Sequence, residues 1–197
     1  MEPIDPTMSP LTRARNTKEL LRALDEYEPG LAAKVRAKTS AEALDAVEGA
    51  ASTAFLPTGL VAEILLPLIE TVGKDRAIDL WRFFLVRRYA GTPLLRPIIL
   101  GAFRLFGLSP ASVFRQLPRA WHLLYRNLAI PSVFFPDERR AVIHLRDVHP
   151  EVLEEYPDLM LSLQGGLEGV TELAGADGTS TMRIDKDARV VEILITW

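Results

Sequence analysis

The chain has 197 residues, a one-domain length that can bury roughly 70% of its unfolded surface without covalent staples. Its 48% apolar and 25% charged residues exclude a disordered or collagen-like chain. The absence of cysteine excludes disulfides, thiolate zinc sites, iron–sulfur clusters and cysteine nucleophiles, and a net charge of −3 argues against a polyanion binder, so no nucleic-acid partner is expected.

The first fifteen residues read as a flexible lead. Met1-Glu2-Pro3-Ile4-Asp5-Pro6 is acidic and broken by proline, unlike a signal peptide. Asn16 with Glu19 has the spacing of a capping box, and Leu20, Leu21 and Leu24 give the helix it opens one apolar stripe. Pro29-Gly30 stops that helix. A second is expected over 31–38, and a third, opened by Ser40 and rich in alanine, over 41–54. Thr58 can cap the next, over 59–72, which Pro67 should kink or divide and Gly73 should end. The helix expected over 75–89 buries Ala77, Leu80, Trp81, Phe84 and Leu85 on one face.

Gly91-Thr92-Pro93 breaks the chain before an almost all-round apolar helix over 94–106. No stretch reaches the ~18 uncharged apolar residues of a membrane span; the nearest, 89–108, is interrupted by Arg96, Arg104, Pro93 and Pro97. A cytoplasmic location is therefore expected. Ser109-Pro110 opens a short helix ending near Leu117, and Pro118 reopens the chain into a helix over 119–127.

The apolar period then changes. Strands are expected over 133–135 and 141–146, a glycine-bearing helix over 157–174, and a last hairpin of 181–184 with 190–196. Val191, Ile193, Ile195 and Trp197 share one face of it. Gly165, Gly166 and Gly169 each lower helix propensity by about 1 kcal/mol, which a smooth face lying close on a sheet would offset. The reading is an α+β fold: a helical N-terminal half packed with a four-stranded antiparallel sheet in the order strand-strand-helix-strand-strand. After the lead, 16–197 form one domain: a helical extension (16–56), a helical core (57–130) and a sheet with a crossing helix (131–197).

Charge is segregated. From Lys74 to Arg126 ten basic residues face only Asp75 and Asp79, a local +8. From Asp147 to Asp177 there are eight acids and no Lys or Arg, a local −8. Either the two segments complement each other within the chain, or one is a docking surface steered by charge.

No catalytic motif is present: no G-x-S-x-G, no P-loop, no Rossmann glycine pattern. The run Glu151, Glu154, Glu155, Asp158 reads as a solvated loop or helix start rather than paired catalytic carboxylates. His144 and His149 match no metal-site spacing, so no metal is expected. His122, beside Trp121 and Tyr125, is either a packed helix residue or an axial haem ligand, and is the one haem-ligand candidate. Arg82, Phe83, Arg87 and Arg88, continuing to Arg96 and Arg104, combine arginine with aromatic residues as binding hot spots do, and form the candidate partner-binding surface.

The runs Leu117-Pro118-Arg119, Arg126-Asn127-Leu128 and Ala141-Val142-Ile143-His144-Leu145-Arg146-Asp147-Val148, followed by Gly165-Gly166-Leu167-Glu168-Gly169 and Trp197, resemble an uncharacterised family of soluble proteins abundant in myxobacteria. More distantly they are similar to haem-NO-binding-like domains and to vinyl-reductase-type ligand-binding domains. The resemblance implies a helical half on a four-stranded sheet, a sensory or adaptor role and, through the vinyl-reductase-type relatives, dimers and apolar ligands. The haem-NO domains grip the haem carboxylates with Tyr-x-Ser-x-Arg, and the matching positions here are Leu145, Asp147 and His149. Their proximal histidine lies farther upstream of the match to Pro131-Ser132 than His122 does, by about one helical turn. Both departures imply a haem-free relative, so no cofactor is expected. The leading expectation is a non-enzymatic regulatory or adaptor protein that binds another protein or itself as a homodimer, tuned by an apolar small molecule. The alternative is a small-molecule sensor binding haem or a lipid in its helical half.

Overall fold

The computed structural model describes residues 3–90 and 109–197. Five helices build the N-terminal half: α1 (Ala14–Tyr27), α2 (Leu31–Lys38), α3 (Ala41–Gly49), α4 (Thr58–Val72) and α5 (Lys74–Ala90). Their apolar stripes meet in one core around Leu20, Leu24, Leu31, Ile64, Leu68 and Leu80, each almost fully buried. Ser40 caps α3 as expected, its Oγ accepting from Ala43 N at 3.1 Å. Lys18 Nζ donates to the carbonyls of Glu48 and Ala50, both at 2.8 Å, tying α1 to the C-terminal end of α3. Gly73 follows α4 at φ 85°, a conformation open to glycine.

Several local expectations are corrected. α1 begins at Ala14, and its N-cap is Arg13 with no side-chain cap, so Asn16 and Glu19 do not open it. α3 ends at Gly49 because the chain turns into a short strand, β2 (Phe55–Pro57). α4 runs through Pro67 as one helix, and Thr71 Oγ1 donates to the Pro67 carbonyl at 2.7 Å. The lead contains strand β1 (Leu11–Arg13), which pairs antiparallel with β2 on one side and with β3 (Tyr125–Arg126) on the other. The expected 119–127 helix is instead α7 (Leu117–Ala120), a 3-10 turn (Trp121–Leu123) and β3. Pairing with β1 draws that segment out of helical geometry. The 94–106 helix lies outside the described residues. α6 (Pro110–Phe114) is capped by Ser109 as expected.

The C-terminal half is a four-stranded antiparallel sheet in the order β4-β5-β7-β6, made of β4 (Ile130–Asp137), β5 (Arg140–Arg146), β6 (Thr179–Asp185) and β7 (Val190–Thr196). The fold is therefore α+β with the expected sheet. Ala141, Ile143 and Leu145 of β5 lie beside Ile195, Ile193 and Val191 of β7, all buried on the inner face. Between the two hairpins come α8 (Pro150–Glu154), which holds the first acids of the acidic run, and α9 (Met160–Leu173). Trp197 stacks on Phe114, with ring centroids 5.6 Å apart.

α9 joins the two halves. A β-carbon at Gly165 would overlap the Ile78 carbonyl and stand 2.7 Å from Trp81 Cβ. One at Gly169 would stand 3.1 Å from the Arg82 carbonyl. The smooth face expected to lie on the sheet therefore lies on α5. The opposite side of α9 carries Leu167 into the sheet core.

Candidate functional site

The ribbon β2-β1-β3 lies at the seam between the helical core and the sheet core, and two spaces open beside it. Tyr125 on β3 lines both. Its ring packs on Trp121 at 4.6 Å, and burial pushes its phenol up to about 12. Arg126, next on the strand, places its guanidinium 4.1 Å above the Phe55 ring of β2.

The first space is a cavity of about 60 Å³ at the junction of the two cores. The hydroxyls of Thr12 and Thr58 meet at 3.0 Å on one wall, and Leu65, Trp81, Leu128 and Met160 supply apolar walls. At about 10–15 Å³ per water, it takes a few waters or a group of a few heavy atoms. The Trp81 indole N–H is buried without a partner nearby.

The second space is a groove of about 810 Å³ between the lead and the 118–129 segment. Asn127, at φ 50°, clamps the lead over it. Its Oδ1 accepts from Asp5 N at 2.8 Å, and its Nδ2 donates to the Asp5 carbonyl at 2.8 Å and to the Met8 carbonyl. Asparagine tolerates the left-handed conformation that aims both ends of its amide at the lead. Trp121 walls this groove, with its indole N–H also buried and unpartnered.

The three histidines separate. His122 is exposed in the 3-10 turn and lines the groove. His144 faces away from Ile143 and Leu145, 3.8 Å from Glu192 across the sheet. His149 is buried ahead of α8, and both its ring nitrogens lack a partner. None of them lines the junction cavity. Among the described residues no group of three or more metal-ligating side chains forms.

Of the six candidate partner-binding residues, the three described ones each contact another part of the chain. Arg82 donates from Nε to Glu172 at 2.6 Å and from Nη2 to Asp177 at 2.9 Å. Phe83 packs on Tyr27 at 5.4 Å, and Arg87 pairs with Glu26 at 2.8 Å. Lys74 pairs with Asp158 at 2.7 Å, so the basic and acidic segments complement each other at α5. The Arg88 side chain, Arg96 and Arg104 lie outside the described residues. Sequence reasoning missed the ribbon, Tyr125 and the Asn127 clamp. A three-residue strand shows no period, and the one signal was Asn127 itself, a residue suited to left-handed turns.

No protein-family model matches the chain, and no curated protein matches it. Solved structures do. An Fe(II) unliganded H-NOX protein from K. algicida superposes with TM-score 0.60 at 12% identity, covering 93% of this chain and 95% of that one. An H-NOX protein from S. oneidensis in the Fe(II)NO ligation state gives 0.58 at 10% identity, covering 93% and 97%. An oxygen-binding H-NOX domain related to soluble guanylate cyclases, in its oxygen complex, gives 0.54 at 11% identity, covering 93% and 94%. The chain has the H-NOX fold. This agrees with its resemblance to haem-NO-binding-like domains.

The described residues do not fit haem. A junction cavity of about 60 Å³ falls well short of the roughly 300–1,000 Å³ that drug-sized ligands occupy. No histidine lines it, and residues 91–108 contain none. Of the positions matched to Tyr-x-Ser-x-Arg, Leu145 is buried in the sheet core. Asp147 makes a left-handed turn whose carbonyl accepts from Arg189 at 3.3 Å, and His149 is buried without a partner. Among the described residues, no helix is long and apolar enough to cross a membrane.

Proposed function

We propose that this chain is a non-enzymatic sensory domain that binds a small molecule beside the β1–β3 ribbon, on an H-NOX scaffold without haem. The groove of about 810 Å³ between the lead and Trp121 carries the reading, because its volume is that of a ligand site. The structures sharing the fold are described with Fe(II), NO or oxygen, which favours a small-molecule sensor over a protein adaptor. The groove is the larger of the two spaces beside the ribbon, about 810 Å³ against about 60 Å³ at the junction, which favours it as the ligand site.

Absorbance spectroscopy and native mass spectrometry of the purified protein test the reading. The expected result is no stoichiometric Soret band and a non-haem small molecule carried or taken up. A stoichiometric Soret band lost in His122→Ala would overturn the haem-free assignment. If no small molecule is carried and none shifts the melting temperature, the sensory reading fails.

A further inference from the structure

The charges in the groove indicate which class of molecule it takes. Arg119, His122 and Arg126 line it, and none of its described lining residues is acidic. On α5 the described cations are paired: Lys74, Arg76, Arg82 and Arg87 each hold a carboxylate. Arg119 and Arg126 have no acidic partner among the described residues. Among the described residues the Arg119 guanidinium donates to Gln116 Oε1, at 3.5 Å, and the Arg126 guanidinium lies over Phe55. Asp5, in the lead, does not neutralise them. It is not among the lining residues, and its carboxylate accepts from the backbone N–H and the hydroxyl of Thr7 at 2.9 and 2.6 Å. The rest of the lining is largely apolar, with Ile4, Met8 and Leu11 of the lead facing Trp121, and Met8 is 58% exposed. A cationic margin on an apolar trough matches a molecule with an anionic head and a hydrocarbon body.

We propose that the groove binds a free amphipathic carboxylate, with the head at Arg119, His122 and Arg126 and the hydrocarbon along Ile4, Met8, Leu11 and Trp121. The inference rests on the small-molecule sensory reading and specifies its ligand class. Steering of the head by unpaired cations makes binding salt-dependent.

The test uses the full chain and monomeric laurate as probe, followed by calorimetry and tryptophan fluorescence. Dodecanol and dodecyltrimethylammonium serve as neutral and cationic controls. Laurate is expected to bind at least about tenfold more tightly than either control, since a hydrogen bond to a charged group is worth that factor or more. Arg119→Glu and Met8→Glu are each expected to weaken laurate at least about tenfold. Both side chains are exposed and outside the two cores, so the melting temperature of each variant should match that of the parent. Equal affinity for dodecanol, or unchanged laurate affinity in both variants, overturns the proposal. So does binding confined to vesicles containing phosphatidylglycerol, which would make the groove a lipid-surface contact. If laurate fails to bind but native mass spectrometry shows another carried molecule, the ligand class is wrong and the sensory reading stands. If neither is seen, both fail.

Discussion

Gly165 of α9 lies directly against the Ile78 carbonyl of α5, leaving no room for a β-carbon. One turn on, Gly169 meets the Arg82 carbonyl and Leu85 less tightly, a β-carbon there standing 3.0–3.1 Å from them. The two glycines let the helical and sheet halves share one helix at backbone distance. Gly166, between them, faces open space.

This gives opposite signs to neighbouring substitutions. Gly165→Ala should destabilise by about 1–3 kcal/mol or more, because the overlap is with backbone and the helices must move apart. Gly166→Ala should stabilise by up to about 1 kcal/mol through helix propensity alone. Urea unfolding of the pair distinguishes the two effects; equal signs would mean that α9 does not seat on α5 as described.

Trp81 lies beside the same contact, edge-on to Phe84 at 5.7 Å, and is 9% exposed. Trp81→Ala should cost about 3–5 kcal/mol, as large-to-small changes in a core do. Trp81→Phe should cost much less, because it also removes an indole N–H that is buried without a partner. Thermal melts that rank the two equally would show that the ring's volume is not what the core requires.

Arg82 joins α5 to the acidic segment. Its guanidinium is held further toward the charged form, chiefly by its hydrogen bond with Glu172. A double-mutant cycle with Arg82→Ala and Glu172→Ala should give a coupling of about 0.5–1 kcal/mol that shrinks as salt rises. Asp177, with its side chain 91% exposed, should couple less. A vanishing Arg82–Glu172 coupling would mean that this pair does not join α5 to the acidic segment.

Tyr125 predicts an alkaline limit. Its folded value is raised by burial from 10.0 to about 12, so the native state keeps a proton that the unfolded chain gives up. That contribution is complete below pH 10 and is lost as pH rises from 10 toward about 12. Stability measured across that window should fall, and Tyr125→Phe should flatten the fall. A phenol titrating at its ordinary value, followed by tyrosinate absorbance, would place the ring in water instead.

Asn127 is the latch of the lead. Asn127→Ala removes three hydrogen bonds to Asp5 and Met8 and leaves a side chain poorly suited to φ 50°. Backbone amides over residues 5–9 should exchange faster, and a protease should cut the lead sooner, while the two cores keep their protection. Unchanged exchange there would mean that β1 alone holds the lead.

What the sequence by itself determined were the features carried by local period and capping chemistry. The stripe Leu20, Leu21, Leu24 reads as a helix face, Ser40 and Ser109 as caps, Gly73 as a stop, and Val191, Ile193, Ile195 as one face of a strand. These signals repeat over several residues, and each residue obeys its own backbone preference. The missing Tyr-x-Ser-x-Arg was equally legible, because it is a matter of residue type. Tertiary structure alone decided the rest. Leu11, Thr12 and Arg13 become a strand only because Tyr125 and Phe55 come alongside, more than forty residues away in either case. The acidic segment becomes the complement of α5 only because α9 packs there on Gly165 and Gly169. The groove exists only because Asn127 holds a lead that is 119 or more residues distant in sequence. Contacts of that range depend on chain closure, whose entropy the packed cores must offset, and no local pattern records where it occurs.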